Sequence, residues 1–206
     1  MKRREALKNI GLSLGAITMS STVISLIQSC STGATWNPNF FSVEEAEIIA
    51  KTLDVILPAT SNIPGANDLN LTQFIDGYIH KISTEQEKEG FKTGIGQYLS
   101  TSLEITGKRK AAALTTNDIE GRLAFYLKAD AEQQKVWDAE IANTIDSPSE
   151  DAINFSVLVL LRSRGISAFK ISEQIGENVL AYDPVPGQQK GCVNLQEATQ
   201  GKAWSL

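Results

Sequence analysis

Beyond residue 41 the apolar positions recur at the three- and four-residue spacing of an α-helix, one segment after another. Ile48, Ile49, Thr52, Leu53 and Ile56 form the first stripe, and Pro58 stops it. Ser42 and Glu45 before it read as a capping box: the Ser42 hydroxyl serves the third amide of the helix while Glu45 reaches back. After a turn-rich stretch, Phe74, Ile75, Tyr78, Ile79 and Ile82 share one stripe of a second helix, Leu71 to Ile82. A third is expected from Glu85 to Ile105, with Gly107 just past its end. Gly90, Gly94 and Gly96 inside it each weaken it by roughly 1 kcal/mol, which suggests a break or a close packing contact. Two more helices open at Asn117–Glu120 and Asp130–Gln133 and reach about Lys128 and Ile145. Ser147, Pro148 and Glu150 then look like N-cap, N1 and N3 of a sixth helix. It is apolar nearly all round (Phe155, Val157, Leu158, Val159, Leu160, Leu161) and is expected to be central, with Gly165 ending it and a short helix from Ala168 to Ile175 after it. No segment alternates as a strand does. The expected fold is all-α, a compact bundle of about six helices over residues 42–176 with an irregular, extended C-terminal arm over 177–206.

Residues 1–30 read as an address and stay outside the fold argument. Lys2, Arg3 and Arg4 precede Ala6, Leu7 and Lys8, and an uncharged, largely apolar run follows from Ile10 to Ile27. The paired Arg3 and Arg4 resemble the core of a twin-arginine signal, which exports proteins already folded. The run ends at Leu26, Ile27, Gln28, Ser29 and Cys30, similar to a lipobox with Gln28 as a departure from its usual small or apolar residue. Cleavage there makes Cys30 the lipidated first residue, and acyl chains contributing ~0.8 kcal/mol per buried CH₂ suffice for stable anchoring. The competing reading is a retained membrane helix, for which about 27 Å of helix falls just short of the ~30 Å hydrocarbon core. Residues 31–41 form a tether. The expected location is therefore the periplasmic side of the cell envelope.

The charge divides accordingly. Lys2, Arg3, Arg4 and Lys8 against Glu5 give the leader +3, which leaves −8 on the remainder of a chain of net charge −5. An acidic body with pI ≈ 5.0 argues against nucleic acid, which demands clustered Lys and Arg. Catalytic signatures are thin. His80 is the only histidine, and after processing Cys192 is the only unlipidated cysteine, so neither a zinc site nor an intrachain disulfide can be assembled. Cys192 itself reads as a small buried residue. There is no haem-attachment motif, no nucleotide-binding glycine loop and no hydrolase elbow. The acidic groups Glu44, Glu45, Glu47 and Asp54, and Asp130, Glu132, Asp138 and Glu140, read as solvated helix faces rather than as paired catalytic acids. No catalytic, cofactor-binding or metal residue can be assigned.

Three segments together resemble a known family. Leu53 to Pro58, then Ile63, Pro64, Gly65 and Ala66, then Phe74, Ile75 and Asp76 are similar to the entry motif of gluconate 2-dehydrogenase subunit 3 proteins. Tyr182, Asp183, Pro184, Val185, Pro186 and Gly187, with Ala203, Trp204 and Ser205, resemble that family's closing segment. The resemblance implies a non-catalytic small subunit of a membrane-bound complex. Its partner would be a large FAD-dependent dehydrogenase of the glucose–methanol–choline type, with a multihaem cytochrome c as a possible third subunit. It would carry a leaderless partner through the twin-arginine pore. The candidate contact residues are Pro58, Ile63, Pro64, Gly65, Tyr182, Asp183, Pro184, Pro186, Gly187 and Trp204. The alternative is a freestanding exported lipoprotein that binds a small molecule or carbohydrate between its helices.

Overall fold

The computed structural model describes residues 36–143, 147–185, 187–188 and 191–205. All described helices belong to one compact unit, Pro38–Leu206. They are α1 (Val43–Ile56), α2 (Leu71–Ile82), α3 (Glu85–Thr106), α4 (Thr116–Leu127), α5 (Ala131–Ala142), α6 (Glu150–Ile171), α7 (Glu173–Asn178) and α8 (Leu195–Thr199). Six of these have seven or more residues, and no strand occurs among the described residues, so the all-α bundle is the observed fold.

Local chemistry sets most helix ends. Ser42 and Glu45 form the expected capping box on α1. Thr84 with Glu87 and Thr115 with Asp118 repeat the device on α3 and α4, so α4 starts one residue earlier than its apolar pattern implies. Each reciprocal bond leaves a carboxylate below its usual range. The Thr84 amide holds Glu87 down, and Lys108 followed by Thr115 does the same for Asp118. Gly107 stops α3 at φ 65°, where its amide and that of Lys108 reach Glu104 and Leu103 carbonyls.

α6 is the axis of the bundle and packs against α1, α2, α3, α4, α5 and α7. Among the described residues it is the one helix long and apolar enough to cross a membrane, yet Ala152, Phe155, Val157, Leu158 and Leu161 are buried against its neighbours. Two expectations about it are corrected. Its N-cap is Ser149, whose hydroxyl accepts from Ala152 at 3.2 Å, rather than Ser147. Gly165 does not end it. A Cβ at Gly165 would stand 2.6 Å from Leu53 Cδ2, so this glycine lets α1 and α6 cross closely. The helix runs on to Ile171, and the short helix after it is Glu173–Asn178 instead of Ala168–Ile175. α5 ends at Ala142, ahead of the expected Ile145, which lies outside the described residues.

The entry to the bundle is held by a residue buried under it. Asp76 of α2 has no exposed surface, and its carboxylate accepts from the backbone amides of Asn39 (2.8 Å), Phe40 (3.0 Å) and Phe41 (3.0 Å). Phe41 is thereby set edge-on against Phe91 of α3, with ring centroids 6.3 Å apart. Nearby, Lys51 of α1 donates to the carbonyls of Ala111, Ala112 and Leu114, which fixes the short 3₁₀ turn Ala111–Ala113 against α1.

Candidate functional site

The turn between α1 and α2 carries the first group of candidate residues. After the Leu57 cap the chain swings out through Pro58 to Ile63, all exposed. The Thr60 amide donates to Ile63 O (2.9 Å) and the Ile63 amide to Thr60 Oγ1 (3.0 Å), closing the tip. Gly65 returns the chain: its amide donates to Asp68 Oδ2 (2.9 Å), and the next amide, of Ala66, to Leu57 O (2.9 Å). A Cβ on Gly65 would lie 2.5 Å from the Ala59 nitrogen and 3.0 Å from Leu57 O, both backbone atoms that cannot yield. Pro64 and Gly65 therefore shape the turn, and the same rigidity presents Pro58 and Ile63 outward in a fixed conformation.

The second group lies in the C-terminal arm, which is irregular but held at its base. The Ala181 amide donates to Ala203 O and the Ser205 amide to Ala181 O, both at 2.8 Å, giving a parallel bridge between Ala181 and Trp204. Gly176 sits beneath this neck, where a Cβ would meet Ser205 Oγ at 2.9 Å. Between the two segments of the neck, α8 is capped by Asn194, whose Oδ1 accepts from Gln196 (2.9 Å), and is ended by Gln200 and Gly201 at φ 56° and 80°. The neck draws Tyr182, Asp183 and Trp204 around one cavity of ≈ 380 Å³. About half of Tyr182, Val193, Leu195 and Trp204 is exposed, and 81% of Val185. Pro184 and Gly187 are exposed as well, while Pro186 lies outside the described residues. So do Arg3, Arg4 and Cys30. Among the described residues no hydrogen bond or ring contact joins the α1–α2 turn to the arm.

The interior holds one polar network that sequence reading missed. Arg122 of α4, 8% exposed, donates to Thr101 Oγ1 (3.1 Å) and to the Tyr126 hydroxyl (3.0 Å), and its guanidinium lies 5.0 Å from the Tyr126 ring centroid. Tyr126 donates in turn to Asp151 Oδ1 (2.8 Å), and Asn154 donates to both Tyr126 and Thr101. Burial, then the bond to Asp151, raises the Tyr126 phenol, which keeps it a donor. Tyr98, buried beside Thr52, is pushed up to about 12 by its burial. Its members come as two pairs at one-turn spacing, Arg122 with Tyr126 on α4 and Asp151 with Asn154 on α6, and Thr101 on α3 joins them only in the fold. The network pins α3, α4 and α6 together.

Elsewhere the chemistry is sparse. His80 is exposed on α2. Cys192 is exposed at φ 51°, contrary to the buried position expected of it, because it lies in the loop ahead of α8 and touches no helical core. Among the described residues no three His, Cys, Asp or Glu side chains come together as a metal site. Glu45 is the one member of the acidic groups that is buried. Burial pushes its pKa up, but Lys92 and the Ser42 cap outweigh that and hold it low. No curated protein and no solved structure matches the chain. A protein-family model described as Gluconate 2-dehydrogenase subunit 3 matches residues 43–187, which takes in the bundle, the α1–α2 turn and the arm as far as Gly187.

Proposed function

The chain belongs to the gluconate 2-dehydrogenase subunit 3 family, and from that membership we propose that it is the non-catalytic small subunit of an FAD-dependent gluconate or sugar dehydrogenase. In this reading it escorts a leaderless flavoprotein of the glucose–methanol–choline type through the twin-arginine route and holds it at the periplasmic face of the membrane. FAD belongs to the partner, and haem c to a third subunit where one is present. The observation that supports the reading best is the arm. A segment pinned at its neck by two backbone bonds nevertheless leaves Tyr182, Val185 and Trp204 in water. A monomer gains nothing from ordering such side chains outward, whereas aromatic anchors on a fixed frame are what a partner interface uses.

Two results test the reading. Tyr182→Ala removes an exposed ring that makes no ring contact among the described residues, so helical content and melting temperature should not move. Co-purification of the flavoprotein should fall by about 30-fold, the loss of a ~2 kcal/mol anchor. Undiminished co-purification would remove the arm from the interface. For anchoring, Cys30→Ala should release the protein from the membrane fraction into the soluble periplasm, since acylation then has no acceptor. Retention of the variant in the membrane would point instead to an uncleaved leader.

A further inference from the structure

Where the end of α3, one face of α4 and the first turn of α6 meet, the surface opens into a cavity of ≈ 600 Å³, within the ~300–1,000 Å³ usual for small-molecule sites. Ile105 of α3, Asp118, Arg122 and Phe125 of α4, and Asp151 of α6 line it. The three α4 residues follow one another at four- and three-residue spacing, which puts them on one face of the helix. The side chain that calls for an occupant is Arg122, the buried centre of the interior polar network. It is 8% exposed, and no carboxylate pairs with it among the described residues. Nη2 is committed to Thr101 and Tyr126, while Nε is enclosed without a partner. Nη1 makes no hydrogen bond but keeps access to solvent, so it is the edge of the guanidinium that meets the cavity. A buried cation with two unpaired nitrogens is costly to keep, and well-packed apolar residues would join the three helices without that cost.

The other walls decide what kind of molecule answers it. Asp118 is neutralised by Lys108, and its Oδ2 takes that bond and both bonds from Thr115, which leaves Oδ1 without a partner. Asp151 gives Oδ1 to the Tyr126 hydroxyl and keeps Oδ2 unbound. With Asp118 and Lys108 paired, the charge of Asp151 offsets that of Arg122, and the walls carry no net charge. An anion drawn to Arg122 meets the carboxylate of Asp151, and a cation drawn to Asp151 meets Arg122. A neutral hydroxyl both donates and accepts, so a ligand rich in hydroxyls serves the guanidinium on one side and the carboxylate oxygens on the other. Phe125 and Ile105, 55% and 66% exposed, supply an apolar flank beside these groups. A few placed polar groups against an aromatic wall is the usual make-up of a small-ligand site.

We propose that this cavity binds a neutral, hydroxyl-rich molecule of the cyclic sugar or polyol class. One of its hydroxyls accepts from Arg122 Nη1, another donates to Asp151 Oδ2, and its carbon face lies against Phe125. The inference does not depend on the subunit reading: it gives the chain a ligand of its own, with or without a flavoprotein bound. The competing occupant is water alone, which satisfies buried polar groups in many proteins.

The test is calorimetric titration of the full-length chain in mild detergent with glucose, myo-inositol, glucuronate and glucosamine. The two neutral probes should bind saturably, and the two charged ones at least about 10-fold more weakly. Gly121→Leu puts a side chain over the cavity from a position where a Cβ meets no atom within 4 Å, so it should abolish binding with unchanged circular dichroism. Asp151→Asn leaves Tyr126 its acceptor and removes the negative wall. It should narrow the preference for glucose over glucuronate by about 10-fold, a change that a purely structural role for Asp151 would not produce. If neither glucose nor myo-inositol binds, the cavity holds water and the proposal is overturned. Glucuronate binding tightest to the wild type would overturn it in favour of an anion site at Arg122. Neutral binding that survives Gly121→Leu in full would overturn it by placing the ligand elsewhere. None of these results bears on whether a flavoprotein co-purifies, so the subunit reading stands or falls separately.

Discussion

Replacing Asp76 with alanine is expected to lower the unfolding free energy by about 3–5 kcal/mol. Its carboxylate is fully buried and accepts the amides of Asn39, Phe40 and Phe41. Alanine would leave those three donors facing a small apolar group, and each buried orphan costs about 1–3 kcal/mol, offset in part by water entering from the Asn39 side. The consequence reaches beyond stability. Residues 39–41 are the end of the expected tether, 31–41, and Phe41 is set against Phe91 with its amide held by Asp76. Asp76→Asn keeps one acceptor and should lose roughly half as much. Urea unfolding followed by circular dichroism measures both. A change below about 1 kcal/mol for Asp76→Ala would mean that water replaces the carboxylate at little cost.

Trp137→Ala is the companion prediction, at about 3–5 kcal/mol. α5 has weak amphipathicity, and Trp137 is its one buried residue, 5% exposed. The indole packs against Phe155 of α6 and Tyr126 of α4, with ring centroids 5.2 and 5.6 Å away. Truncation opens a cavity between three helices and removes what ties α5 to α6. The loss should therefore be local as well as global. Amides of Ala131–Ala142 should lose hydrogen-exchange protection well before those of α6. Equal protection in both helices of the variant would show that α5 is held by something other than its single indole.

How much of this was legible in the sequence depended on range. Capping boxes, the stop at Pro58 and the positive-φ end at Gly107 are decided within four residues, so α1, α2 and α3 could be placed to within a residue or so. Gly165 could not be read correctly, because a terminating glycine and a packing glycine look identical until Leu53, far away in the chain, is known to lie against it. Ser147 and Ser149 both precede helix-compatible residues, and only the bond to Ala152 separates them. The neck of the arm pairs Ala181 with Trp204 across a stretch without periodicity, so no pattern announced it. Asp76 was visible as part of the Phe74–Ile75–Asp76 motif, but its task was not, since its three partners lie on an irregular segment more than thirty residues away. That motif now resolves into three directions: Phe74 to the surface beside Tyr78, Ile75 into the core and Asp76 under the entry segment. The candidate contact residues were readable as a resemblance. That Pro58, Ile63, Tyr182, Asp183, Pro184, Gly187 and Trp204 are exposed, while Gly65 is buried and Pro64 half-buried, required the fold.

The measurement that bears most directly on the central claim is affinity purification of the tagged full-length chain from gently solubilised envelope, followed by an absorbance spectrum and mass spectrometry of what accompanies it. The expected result is a yellow complex with flavin bands near the usual flavoprotein positions and a large subunit that lacks an export leader of its own. A colourless protein recovered alone, from membranes in which the dehydrogenase is demonstrably present, would contradict it.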